Sequence, residues 1–186
     1  MWFVMMSAMM APTVWPWVSA FHRMNSAAVS GLSRTMVFLG GYVVAWLLYS
    51  LAAASIQFLL PHHLPTALAA SILFIAGAFQ FAPIKRACLT HCRNPLTYFL
   101  TRWRDGSSGG FRMGFDHGLF CVACCWALMA TTLAVGVMSL WWMAALAVVT
   151  FAEQVSPWGD RVRILAGVAL IAGGMIIGVD AAAMRW

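Results

Sequence analysis

The sequence is short of charge. Of its 186 residues only 9% are Asp, Glu, Lys or Arg, and the acidic side chains number five, where an ordinary soluble domain carries roughly a quarter of its residues charged. That deficit excludes a conventional soluble domain. Also missing are a Ser/His/Asp order, a phosphate-cradling glycine loop and a carboxylate pair in a cleft, so soluble-enzyme chemistry has no visible machinery and the expectation is a protein that is not an enzyme. No internal repeat of the transporter kind is seen. The first apolar run has no basic residue ahead of it, and Pro12 and Pro16 lie inside it, so it reads as a kinked span rather than a signal peptide.

What is present is apolar. Hydrophobic residues make up 63% of the chain, with 10 Trp, 13 Met and five Cys, and a bilayer-spanning helix takes about 20 residues. The pattern predicts an all-α polytopic membrane bundle, one integral membrane domain over 1–186, with about six transmembrane helices near 1–21, 35–60, 66–83, 117–137, 139–155 and 162–180. The uncharged stretch from His117 to Ala152 is too long for one span at about 1.5 Å per residue, so it is divided near Gly136 to Ser139. Between Ile84 and Asp116, Leu96, Tyr98, Phe99, Leu100 and Trp103 alternate with Arg93, Arg102 and Arg104. This is the signature of an amphipathic segment on the membrane surface, with Gly106 to Gly110 as a flexible linker and Asp116 as the cap of the following helix.

The net charge of +6 is a matter of placement. With six spans, Arg23, Arg34, Lys85, Arg86, Arg93, Arg102, Arg104, Arg112, Arg161 and Arg163 fall on one side, and only Arg185 on the other. Because cytoplasmic loops collect Lys and Arg, the chain is expected in a bacterial inner membrane with both termini on the periplasmic side. Its first partner is then the lipid bilayer, with anionic headgroups near the basic loops. The basic excess calls for no nucleic acid.

The chemistry that remains is sulfur and imidazole. Two groups stand near the expected cytoplasmic boundary, Cys88-Leu-Thr-His91-Cys92 and His117-Gly-Leu-Phe-Cys121-Val-Ala-Cys124-Cys125. At about 100° per residue, Cys88, His91 and Cys92 share one helix face, and His117, Cys121, Cys124 and Cys125 share another. Together they offer a soft donor set suited to Cu(I), or to Zn(II). Buried cysteine is also a small hydrophobe, and packing beside Trp126 and Met129 is the bland alternative. A second cluster at ligand spacing on the same membrane side weighs toward metal. Met1, Met5 and Met9 form a thioether stripe along the first span, and His62 and His63 stand in an outer turn where a metal can be captured. Glu153, close to the inner end of the fifth span, is a candidate partner for His117 or Lys85 and a relay or supporting carboxylate. Gln57, Gln80 and Asp180 are expected to satisfy neighbouring helices, and adjacent Cys124 and Cys125 leave thiol redox chemistry as a lesser option.

Several stretches also carry a resemblance. Met5-Met6-Ser-Ala-Met9-Met10-Ala-Pro12, Gly41-Tyr42 with Trp46, Pro83 through Leu96 with the first cysteine group, Gly114 with His117-Gly118, Cys121 through Met129, and Trp142-Met143 through Glu153 are together similar to a bacterial family of predicted metal-binding integral membrane proteins, sometimes called probable copper chelators. The resemblance covers nearly the whole chain and implies a metal site. Where that family often has Gly before the paired cysteines and Lys after the glutamate, this sequence has Ala123 and Gln154. Two functions follow as expectations. One is Cu(I) handling, with delivery to a membrane cuproenzyme or respiratory-type complex, through Cys88, His91, Cys92, His117, Cys121, Cys124 and Cys125, with Met5, Met9, Met129 and Glu153 in supporting places. The other is an accessory subunit packing its helices against a larger membrane complex, with its cysteines as filler.

Overall fold

The structure, a computed structural model, describes residues 2–25, 31–59, 64–135 and 139–183, the last four by backbone alone. The described residues form eight helices: α1 (Trp2–Asn25), α2 (Gly31–Leu59), α3 (Thr66–Phe81), α4 (Pro83–Arg93), α5 (Pro95–Arg102), α6 (Gly106–Val135), α7 (Leu140–Val155) and α8 (Gly159–Ala183). The all-helical class holds. Three helices are long and apolar enough to cross a membrane: α2, α6 and the Gly159–Val179 part of α8. Helices α3 and α4 meet that standard together, bent by 65° between them, while α7 is apolar but shorter. Helix α1 is long enough, but two prolines and four tryptophan and threonine positions between Trp2 and Trp17 dilute its hydropathy.

Proline sets several of these boundaries. Pro83 and Pro95 occupy the first turns of α4 and α5, where a missing N–H costs nothing, and each holds the preceding residue out of the α region. Pro12 and Pro16 instead lie within an uninterrupted α1. Ser139 caps α7, its hydroxyl accepting from the Trp142 amide at 3.4 Å. His62, His63, Met1, Arg185 and most of the Gly136 to Ser139 division lie outside the described residues.

The glycine-rich stretch corrects the sequence reading. Gly106 to Gly110 is the first turn of α6 and not a linker, and Asp116 lies inside that helix rather than capping it. Cys121 is therefore four turns from the helix start, beyond the reach of the positive end of the helix dipole. Gly106, at φ +80°, makes the sharp entry. Beyond it, Gly110, Gly114 and Gly118 recur every fourth residue and put a smooth stripe against α2. A Cβ on Gly114 would meet the carbonyl of Phe38, and one on Gly118 would meet Ala45 and Tyr42. Gly41 answers from α2, facing the backbone of Phe111 and Phe115. Small residues that let two backbones approach are a general device of helices packing in lipid.

Helix α6 is therefore central, packed on α2, α3, α4 and α7, with α8 paired to α3, and α1 against α2, α5 and α7. One end of the bundle is polar. There Lys85 Nζ donates to Glu153 Oε2 at 2.7 Å, both side chains fully buried. Arg93 donates through Nε and Nη2 to the Glu153 carbonyl, at 2.9 and 2.7 Å, and Arg163 donates to the Gln80 carbonyl. Two arginines thus satisfy the orphan carbonyls that end α7 and α3. At the same end Trp17, Phe21, Phe38, Tyr98, Phe99 and Met113 form an aromatic cluster, with Phe21 and Phe38 stacked at 4.7 Å.

Candidate metal centre

The bundle core gathers sulfur. Met5, Met6, Met9 and Met10 of α1, Cys88 and Cys92 of α4, and Cys121, Cys124, Cys125 and Met129 of α6 all belong to one contiguous buried cluster. The thioether stripe of α1 therefore faces inward. All five cysteines are free thiols.

Within that cluster the contacts are specific. Cys124 Sγ lies 3.2 Å from Cys125 Sγ and donates to the Cys121 carbonyl at 3.1 Å. Cys92 of α4 is buried in the same cluster as Cys121, Cys124 and Cys125 of α6. Tyr42 Oη is 3.6 Å from Cys121 Sγ. Gln154 Nε2 approaches three sulfurs, at 3.2 Å from Cys125, 3.6 Å from Cys124 and 3.8 Å from Cys121. Cys88 is buried in the same core but makes no hydrogen bond to the other thiols among the described contacts.

The two histidines flank a single tryptophan. The His117 ring stacks on Trp17 at 3.7 Å and 15°, and on Tyr42 at 5.5 Å. Trp17 also stacks, more loosely, on His91 at 5.6 Å, and its Nε1 donates to the Cys92 carbonyl at 2.8 Å. His117 is buried with both ring nitrogens unpartnered. A buried polar group without a partner is costly, so these nitrogens are open to a ligand. His91 Nε2 is likewise unpartnered, and this residue reaches the wall of an open cavity of about 420 Å³ lined also by Thr90, Asn94, Thr97, Arg102 and Phe120.

Some sequence candidates fall elsewhere. Glu153 takes the Lys85 alternative and leaves His117 alone. Gln57 accepts from Trp2 Nε1, whereas both amide atoms of buried Gln80 lack partners. Two residues of the centre carry no local signal in the sequence: Trp17, which an apolar run hides, and Gln154, which stands out only as a departure from a family pattern. Among the described residues no group of three or more His, Cys, Asp or Glu side chains stands in a geometry that could hold a metal ion. The α6 thiols instead face one another and the Gln154 amide. Tetrahedral coordination at about 2.3 Å per bond separates sulfurs by about 3.8 Å, so the 3.2 Å Cys124–Cys125 pair must open slightly to share an ion. The donor set suits a soft cation all the same: thiols, thioethers and an unpartnered imidazole in an apolar interior.

An all-helical apolar bundle with sulfur and imidazole gathered in its core presents the donor types that soft metals select. More particularly, the model of the PpoB2 copper chaperone family matches residues 1–177, and the chain belongs to that family. Neither a curated protein nor a solved structure matches the chain.

Proposed function

We propose that the protein carries copper as Cu(I) within a membrane, held by Cys92, Cys121, Cys124 and Cys125 with His117 beside them, and hands it to a membrane cuproenzyme. Copper here is cargo. The observation that carries the reading is the burial of Cys92 in one cluster with the three α6 thiols, with Cys121 one turn from an imidazole whose two nitrogens have no partner. Soft thiolate ligands select Cu(I), and burial keeps competing water away. Zinc is the other ion the donor set admits.

Access follows from the tryptophan. His91 meets the open cavity, Trp17 separates it from His117, and His117 precedes Cys121 by one turn of α6. Copper enters at His91 and passes inward to sulfur, with the thioethers of Met5, Met9 and Met129 lining the core beyond. Exposed Leu47, Leu48 and Leu51 on α2, and Leu165, Val168 and Ile176 on α8, suit a lipid surround for six spans. The polar end with Lys85, Arg93 and Arg163 then faces the cytoplasm under the positive-inside rule, with both termini periplasmic.

Purified protein loaded with Cu(I), compared with a variant carrying Ser at 121, 124 and 125, tests the reading. The wild type retains copper through gel filtration against a weak chelator and the variant loses it. Equal copper in both would remove these sulfurs from the function and favour a packing subunit.

A further inference from the structure

The chemistry-bearing residue that the copper reading leaves unused is Gln154. Its side-chain nitrogen lies 3.2 to 3.8 Å from three different sulfurs, at the point on which Cys121, Cys124 and Cys125 converge. This placement is firmly held. The preceding residue, Glu153, is fixed by its ion pair to Lys85 and by both Arg93 bonds to its carbonyl, which tie the last turn of α7 to α4, itself packed on α6. An amide –NH₂ carries two hydrogens with partial positive charge, so it offers the sulfurs, weakly, what a cation offers strongly.

We propose that Gln154 is a built-in competitor for copper: its amide and the metal take turns at the same three sulfurs. The inference rests on the copper reading above and adds how the ion leaves. When Cu(I) binds, the thiols that take it give up their protons to water, the N–H···S contacts break and the amide withdraws. When Cu(I) passes to the ligands of an acceptor, protons return to the thiols and the amide closes on them again. The exchange moves no electrons. A carrier must release its cargo, and an internal group that re-forms bonds at the vacated sulfurs lowers the cost of release. A hydrogen bond of this kind contributes on the order of 1 kcal/mol net, which is about a fivefold effect on affinity.

The test measures Cu(I) affinity by competition with bicinchoninate, and the rate of copper transfer to that chelator, for wild type, Gln154→Ala and Gln154→Asn. The asparagine keeps an amide but draws it back by one methylene. Both variants are expected to bind Cu(I) about three- to tenfold more tightly and to release it more slowly. Equal or weaker binding with unchanged release in a folded variant overturns the proposal. An independent readout needs no variant: the Gln154 side-chain ¹⁵N–¹H signals of the wild type shift when one equivalent of Cu(I) is added, and unmoved signals with copper bound overturn it. Failure of the wild type to bind Cu(I) at all would instead overturn the copper reading.

Discussion

Trp17 and His117 lie face to face, 3.7 Å between ring centroids and 15° from parallel, while the same indole donates its N–H to the Cys92 carbonyl. One side chain of α1 therefore sets both the imidazole on α6 and the cysteine on α4. Trp17→Phe keeps an aromatic face but removes the donor, leaving a buried carbonyl short of one bond, at a cost of about 1 kcal/mol. Trp17→Ala also opens a cavity and costs about 3–5 kcal/mol. Thermal unfolding in detergent should rank wild type, Phe and Ala in that order, and Cu(I) affinity should fall in the same order.

The Lys85–Glu153 pair is fully buried. Removing one partner strands a charge, so Lys85→Met is expected to destabilise by about 3–5 kcal/mol, read as a lower midpoint of thermal unfolding. Replacing both, as Lys85→Met with Glu153→Leu, should recover most of that loss. A double variant no more stable than the single one would show that the pair matters for something besides its own charge balance.

The contact between α2 and α6 depends on the absence of side chains. Gly114→Leu must push Phe38 away, and overpacking of this sort costs typically about 1–3 kcal/mol. Because Tyr42 and Cys121 meet across that same contact, alkylation of the α6 thiols in the folded protein should become faster by at least severalfold. Gly40→Ala, where a Cβ meets nothing within 4 Å, is the control and should leave the rate unchanged.

The proposed route puts His91 at the open cavity, ahead of the buried thiols. His91→Ala should slow loading from a Cu(I) donor while leaving the final affinity within about twofold, whereas His117→Ala should lower the affinity itself. Stopped-flow loading with a chromogenic Cu(I) donor separates the two. Equal effects of both substitutions on affinity would place His91 at the bound ion.

Much of this arrangement was legible in the sequence because it rests on helical spacing. Cys88, His91 and Cys92 share one face at i, i+3 and i+4, as do His117, Cys121, Cys124 and Cys125, and apolar length marks α2, α6 and α8. Spacing does not say which helices neighbour one another. Gly106 to Gly110 resembles a linker by composition, and only the packing of Gly109 against Arg104 and of Gly110 against Arg34 and Phe21 shows that the glycines there belong to a helix. Gln154 and Trp17 act through contacts across 30 and 75 positions of the chain, a separation invisible to any local pattern. Lys85 and Glu153, 68 positions apart, were recognisable as a pair only because charge is so scarce in this chain.

Copper K-edge X-ray absorption of the protein loaded with one equivalent of Cu(I) tests the central claim most directly. A first coordination sphere dominated by sulfur, which loses sulfur scatterers when Cys121, Cys124 and Cys125 are replaced by Ser, is the predicted result. A sphere of nitrogen and oxygen alone, or one the triple substitution leaves unchanged, would contradict it.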